Sequence, residues 1–249
     1  MGEVIAVVSG KGGTGKTSLC AGVATALAAR GAKVLCVDCD VGLRNLDISL
    51  GLTENAALSF RDLSEGGYPL SRAMTHPQFP TLSFLTAPIN CPAESLDLQA
   101  FLQLLRQARR EYAYIFLDAP AGMDAGFRLA ATDADRCILV TNSDPASIRD
   151  AARTAQTLEL MGRRQIKLVV NRIRPKMISA MALTVDDVMD QSGLPLLGIV
   201  PEDEHVTFAA AFGKPLSTYV KKSPAAAAFD RIAQRIQGIP VRIPIRKFK

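Results

Sequence analysis

At 249 residues, with 48% hydrophobic and 21% charged side chains, the chain is long enough for one substantial domain with its own core. That balance excludes a disordered or low-complexity protein, and no apolar run approaches the ~20 residues of a membrane-spanning helix. The net charge of +5 suits an anionic membrane or nucleic acid and is too mild to choose between them.

The N-terminus enters an apolar run directly, without the basic and apolar regions of a secretory signal. The expectation is a protein of the cytoplasm or the inner face of the cell membrane. The first run, Ile5–Val8, leads into Ser9-Gly10-Lys11-Gly12-Gly13-Thr14-Gly15-Lys16-Thr17-Ser18 and then a helix-like segment, Leu19 to Arg30. Gly10, Gly15, Lys16 and Thr17 satisfy G-x-x-x-x-G-K-(S/T), a phosphate-binding loop in its strand–loop–helix setting. Glycines let successive backbone N–H groups turn inward on a polyphosphate, and the following helix adds the positive end of its dipole. Lys16 is expected to reach the β- and γ-phosphates, and the Thr17 hydroxyl to ligate Mg²⁺. Lys11 is not needed by a simple cradle. With it, K-G-G-T-G-K-T resembles the deviant Walker A loop of the MinD/ParA group of P-loop ATPases. The resemblance implies that Lys11 reaches the nucleotide of a partner subunit, so that two ATPs are sandwiched in a homodimer.

The second run, Val34–Val37, ends in Asp38-Cys39-Asp40-Val41-Gly42-Leu43-Arg44-Asn45-Leu46-Asp47. Carboxylates at this strand end can hold Mg²⁺ through its waters or orient an attacking water. D-x-D-x-G-L-R-N-L-D resembles the first switch of the MinD branch of that group. By resemblance, Asp40 positions the hydrolytic water, Asp38 supports the metal region, and Arg44, Asn45 and Asp47 lie on a nucleotide-sensitive partner surface. Cys36 and Cys39 form C-x-x-C, but a strand turns residues three apart to opposite faces. With Cys20, Cys91 and Cys137 they read as reduced core thiols.

Residues 51–80 are polar and loop-rich, with helical hints at Leu58–Leu63 and Leu70–Met74. His76, before Pro77, reads as an exposed loop residue without a role. Leu82–Leu85 is the next apolar run. Leu98, Phe101, Leu102, Leu105 and Ala108 have helical spacing. Tyr114–Leu117 then leads to Asp118-Ala119-Pro120-Ala121-Gly122, the form of a Walker B strand, in which Asp118 accepts from Mg²⁺-bound water. Cys137–Val140 precedes Thr141-Asn142-Ser143-Asp144-Pro145-Ala146-Ser147-Ile148-Arg149-Asp150. Ser143 or Asp144 can cap the next helix, and Pro145 fits its first turn. The resemblance extends here and places Ser147 and Arg149–Asp150 toward a dimer or partner surface.

The runs Leu168–Val170 and Leu196–Val200 end in Asn171 and in Pro201-Glu202-Asp203. By resemblance, Asn171 faces adenine and Pro201–Asp203 wall the base. No N-K-x-D guanine motif is present, so ATP is expected rather than GTP. Segment Pro224 to Gln237 reads as a terminal helix. Apolar runs that alternate with helical segments predict a single doubly wound α/β domain over residues 1–237, with a mostly parallel sheet flanked by helices. Its ligands belong at the carboxyl ends of the strands.

The remaining tail, residues 238–249, is basic and apolar. Val241 to Lys249 hold four basic and no acidic residues. Val241, Ile245 and Phe248 have helical spacing, interrupted by Pro244, while Ile239, Val241, Ile243 and Ile245 alternate like an edge strand. Ile245, Arg246 and Phe248 are the candidate membrane contacts. Four basic residues at ~1 kcal/mol each on an anionic leaflet make a weak tether, which two tails of a dimer would strengthen. The resemblance implies an ATPase that regulates division-site placement, with a MinC-like inhibitor of the FtsZ ring, a topology factor such as MinE, and anionic lipids as partners. A ParA-like partitioning ATPase or a flagellar-number regulator is the alternative. G-L-R-N-L-D and the apolar tail argue against nucleic acid as the partner.

Overall fold

The computed structural model describes residues 1–41, 43–53, 57–89, 91–180 and 183–244. Among them the strands are β1 (Glu3–Val8), β2 (Val34–Asp38), β3 (Met74–Thr75), β4 (Leu82–Leu85), β5 (Tyr114–Asp118), β6 (Arg136–Thr141), β7 (Ile166–Ile173) and β8 (Leu196–Pro201). They form one sheet in the order β3-β4-β2-β5-β1-β6-β7-β8. Every neighbouring pair is parallel except β3–β4. The apolar runs therefore become strands, and the doubly wound α/β fold is the one expected. No run announces β3, a two-residue strand in the loop-rich excursion that pairs Met74 with Phe84 and Thr75 with Ser83.

The helices are α1 (Lys16–Ala29), α2 (Leu46–Leu50), α3 (Phe60–Ser64), α4 (Leu98–Glu111), α5 (Ala125–Ala131), α6 (Pro145–Leu160), α7 (Pro175–Ala180), α8 (Val185–Ser192), α9 (His205–Ala211), α10 (Leu216–Tyr219) and α11 (Pro224–Ile236). Alternation along each strand divides the core in two. Val4, Ala6 and Val8 face the layer of α3 to α6 and α8. Ile5 and Val7 face the layer of α1, α2 and α9 to α11. Side-chain oxygens satisfy otherwise unpaired N–H groups at several helix starts. Asp97 accepts from Gln99 and Ala100, Asp144 from Ser147, and Ser223 from Ala226. On α4, Leu98 stands 39% exposed at the first helical position, while Leu104 takes a core place.

Helix α1 is apolar on most of its circumference because it lies between the sheet and α11. Gly22 permits that approach: a Cβ there would lie 2.1 Å from the Phe229 ring. Phe229, Ile232, Ala233 and Ile236 of α11 are buried. At roughly 1.5–3 kcal/mol for each large side chain, this helix is firmly held and gives the tail a fixed origin.

The chain beyond α11 turns back on the domain. Arg235 Nη1 donates to Val241 O at 2.9 Å, and Ile243 packs against the core. Residues 239–244 form no strand, so the alternation there does not make the edge strand its pattern suggests. Ile245, Arg246 and Phe248 lie outside the described residues. Among the described residues no helix is long and apolar enough to cross a membrane.

His76 is the clearest departure from the sequence reading. It is 2% exposed, not a loop-tip residue. Its Nε2 lies 2.9 Å from Leu50 O, and its Nδ1 accepts from Gln78 N at 3.1 Å. Burial lowers its pKa and the bond to Leu50 opposes the shift, so the ring is a neutral strut between α2 and β3. The alternation that sends Cys36 to one core layer and Cys39 to the other also removes C-x-x-C as a metal or redox pair.

Candidate functional site

Register brings the acidic residues together. In the parallel pairing of β2 and β5, Asp38 stands opposite Asp118, and Asp118 stands opposite Val7 at the end of β1. The phosphate loop rises from that same end. Both carboxylates are buried, Asp38 at 0% and Asp118 at 1% exposure.

The Thr17 hydroxyl neighbours Asp118 and pulls its pKa down, while Asp118 Oδ1 is buried without a partner. Burial, reinforced by the Asp38 charge, pushes its carboxyl up to about 8, against the pull of Thr17 and Lys16. Asp38 uses both oxygens on the segment that follows β2, accepting from Asp40 N at 2.9 Å and Leu46 N at 3.2 Å. Burial raises it to about 6. Asp40 is half-buried and raised by burial, with Lys16 opposing. Lys16, the buried cation among these acids, has its pKa lowered by burial, and Asp118 and Asp40 oppose that shift.

Three acids around one lysine leave the pocket short of positive charge. An unpartnered buried carboxylate oxygen beside a hydroxyl is a hard-oxygen donor set that fits Mg²⁺. Among the described residues no three His, Cys, Asp or Glu side chains gather as a metal cage.

The loop itself is arranged for an anion. Gly13 and Gly15 adopt φ of 76° and 86°, a left-handed conformation natural to glycine. Gly15 caps α1, whose first N–H groups on Lys16, Thr17 and Ser18 have no intrahelical acceptor by helix geometry. Gly10 lies against Asp150 and Thr154 of α6, and Gly12 faces Ala121. Thr14 is buried and its Oγ1 has no partner. Lys11 is exposed, with Nζ 3.9 Å from Asp144 Oδ1.

Beside the loop is a cavity of about 260 Å³ lined by Gly13, Gly15, Ser18, Asn171, Arg172 and the Pro201–Asp203 turn. The residues assigned to the base and those assigned to the phosphates thus share one space. Asn171 Nδ2 donates to Thr14 O at 2.7 Å, which leaves its Oδ1 and second N–H for a ligand. The Asp203 carboxylate is occupied by Ser223 Oγ at 2.5 Å and by Ala225 N, His205 N and the His205 ring. Only the backbone of that residue remains for a base. A wider hollow of about 520 Å³ beside Arg44, Arg61 and Glu65 includes no phosphate-loop residue.

The profile of the CobQ/CobB/MinD/ParA nucleotide binding domain matches residues 5–216. The chain belongs to this family. Within it the MinD proteins are close relatives. The septum site-determining protein MinD of Synechocystis sp. is 36% identical over 240 residues, covering 96% of this chain and 90% of that protein. The MinD chain of the MinC:MinD cell division complex from Aquifex aeolicus superposes with a TM-score of 0.88 at 36% identity, over 97% of this chain and 98% of its own. MinD of Pyrococcus horikoshii, solved with Mg-ADP, gives 0.81 at 28% identity, over 95% and 96%.

Three features of this MinD-type site are not anticipated by the sequence. Arg172 forms a fork with Glu202, at 2.9 and 3.0 Å, and reaches Gly13 O at 3.3 Å. Its φ is 55°, a conformation that costs an L residue about 1–2 kcal/mol. Asp144 caps α6, as its sequence setting allows, and also pairs with Lys11, which the sequence does not foretell. Ser147, read toward a partner surface, is instead 2% exposed and bonded to Asp144 through its N–H and hydroxyl. The capping pattern explains it without a partner.

Proposed function

We propose that the chain is a Mg²⁺-dependent ATPase of the MinD type. The observation that carries this reading is the buried, unpartnered Oδ1 of Asp118, with the Thr17 hydroxyl and the buried Lys16 beside it. Bound Mg²⁺ would supply the positive charge that this pocket lacks and that a triphosphate requires. Thr17 would hold it directly and Asp118 through a water, while Asp38 keeps the switch backbone in place. Lys16 and the loop N–H groups would stabilise charge on the transferring phosphoryl group. Asp40 would orient water in line with the γ-phosphate, and Lys11 would act on the nucleotide of the other subunit in an ATP-dependent homodimer. Asn171 and the Pro201–Asp203 turn would hold adenine.

Membership in the MinD group extends the reading to division-site placement. The proposed cycle recruits a MinC-like inhibitor and answers to a topology factor such as MinE. It works at the inner membrane surface through the basic-apolar tail. The Aquifex aeolicus relative, solved as a MinC:MinD complex, supports the first of these partners.

Phosphate release from Mg-ATP by wild type, Lys16→Ala and Asp40→Ala tests the enzyme. Turnover in wild type and its loss in both variants is expected; ATP binding without turnover in wild type would overturn it. Co-sedimentation with anionic liposomes in ATP and in ADP tests the membrane step. Binding that ignores the nucleotide would sink the switch.

A further inference from the structure

Two adjacent side chains at the end of β7 hold two consecutive carbonyls of the phosphate loop. Asn171 Nδ2 donates to Thr14 O, and Arg172 Nη1 donates to Gly13 O. In a planar trans peptide the C=O and N–H point in opposite directions. Drawing these carbonyls toward β7 therefore turns the N–H groups of Thr14 and Gly15 away from it.

Arg172 does not act on the loop alone. Its Nε and Nη2 grip Glu202 in the turn after β8, and Gly13, Arg172 and Glu202 line the same cavity. One guanidinium thus ties two separate segments of the lining of the proposed base pocket together. The backbone is shaped for it. The pairing of β7 with β8 slips register between Val170 and Ile173, and Arg172 takes its positive φ within that slip. Such irregularities re-aim a side chain, and a strained residue is retained when its direction matters. An exposed ion pair alone explains neither the strain nor the third bond, since such pairs add little to stability.

We propose that Arg172 is a latch on the nucleotide pocket, with Glu202 as its catch, and that breaking it speeds nucleotide release. The proposal rests on the ATPase reading above and makes Arg172 a positioning residue, not a catalytic one. Arg174 Nη2 also lies 3.6 Å from Glu202 Oε1, so both sides of the latch must be varied.

The test is stopped-flow release of a fluorescent ADP analogue with Mg²⁺ from wild type, R172G, R172K, E202Q and the R172G/E202Q double variant. Glycine relaxes the backbone, so R172G is expected to keep or raise Tm while release becomes at least about fivefold faster. R172K keeps the charge without the fork and should release faster than wild type. The double variant should match R172G within about twofold, because the two residues act as one unit. Release from R172G within twofold of a wild type that binds ADP overturns the latch alone, as does multiplication of the single effects. A wild type that binds no ADP overturns the ATPase reading and the latch with it.

Discussion

The Lys11 ammonium rests 3.9 Å from the Asp144 carboxylate of its own chain. A lysine that serves a partner's nucleotide must first leave this position. Both groups are well exposed, so the pair is worth at most about 1 kcal/mol. Asp144→Asn keeps a good helix cap and removes the charge. Each dimer releases two such pairs, so sedimentation with a non-hydrolysable ATP analogue should show dimerisation tightened by up to about 30-fold. Weaker dimerisation would mean that Asp144 serves the dimer and does not merely park Lys11.

Asp38 and Asp118 make stability depend on pH. Their carboxyls sit at about 6 and about 8 in the folded chain, above the ordinary carboxylate range. The folded state therefore holds more protons than the unfolded one, and stability falls as pH rises through those values. The Tm of the nucleotide-free protein should decline between pH 5 and about 8, and Mg-ADP should flatten the decline. Asp118→Asn should also flatten it while weakening Mg²⁺-dependent nucleotide binding. A nucleotide-free Tm that rises across this range would contradict the assignment.

Lys16 and Asp40 should separate binding from turnover. Lys16→Ala removes the buried cation of the pocket and should reduce turnover by at least about 100-fold, with weaker ATP binding. Asp40→Ala should lose a comparable factor in turnover and still bind ATP, accumulating as dimer. Equal loss of ATP binding in both would place Asp40 in the binding site and not on the water.

His76 is a stability residue. Replacement by alanine leaves Leu50 O and Gln78 N without their side-chain partner, at a cost of about 1–3 kcal/mol. Denaturant titration should show the loss, while ATP turnover at saturating substrate stays within about twofold. Because the buried ring titrates below the ordinary histidine range, its contribution is present near neutrality and disappears as pH falls through its lowered pKa.

Two truncations distinguish packing from membrane attachment. Ending the chain after Gly238 removes Ile243 from the core and Val241 O from Arg235, and should destabilise by about 1 kcal/mol. Ending it after Pro244 leaves those contacts, so Tm should hold while ATP-dependent liposome binding is lost. Retained binding after the shorter deletion would remove Ile245, Arg246 and Phe248 from the anchor.

What the sequence made legible follows from locality. Apolar runs give seven of the eight strands among the described residues, and the chemistry-bearing residues follow those runs because parallel strands deliver their carboxyl ends to one edge. The phosphate loop is a contiguous motif, and Asp118 declares itself by ending an apolar strand. Partners distant in the chain do not announce themselves. Nothing near His76 signals Leu50, and nothing near Arg172 signals Glu202 or Gly13. Ser147 shows the opposite error, a local cap mistaken for a surface feature because its pattern matched a relative.

The crowding of Asp38 and Asp118 also bears on how long a molecule survives in a cell. An empty chain would be the less stable one and would open more often to proteases. Cellular abundance would then follow the supply of Mg-nucleotide, with idle copies cleared before working ones. Limited proteolysis with and without Mg-ADP reads this directly: equal cleavage rates would show that occupancy leaves lifetime unchanged.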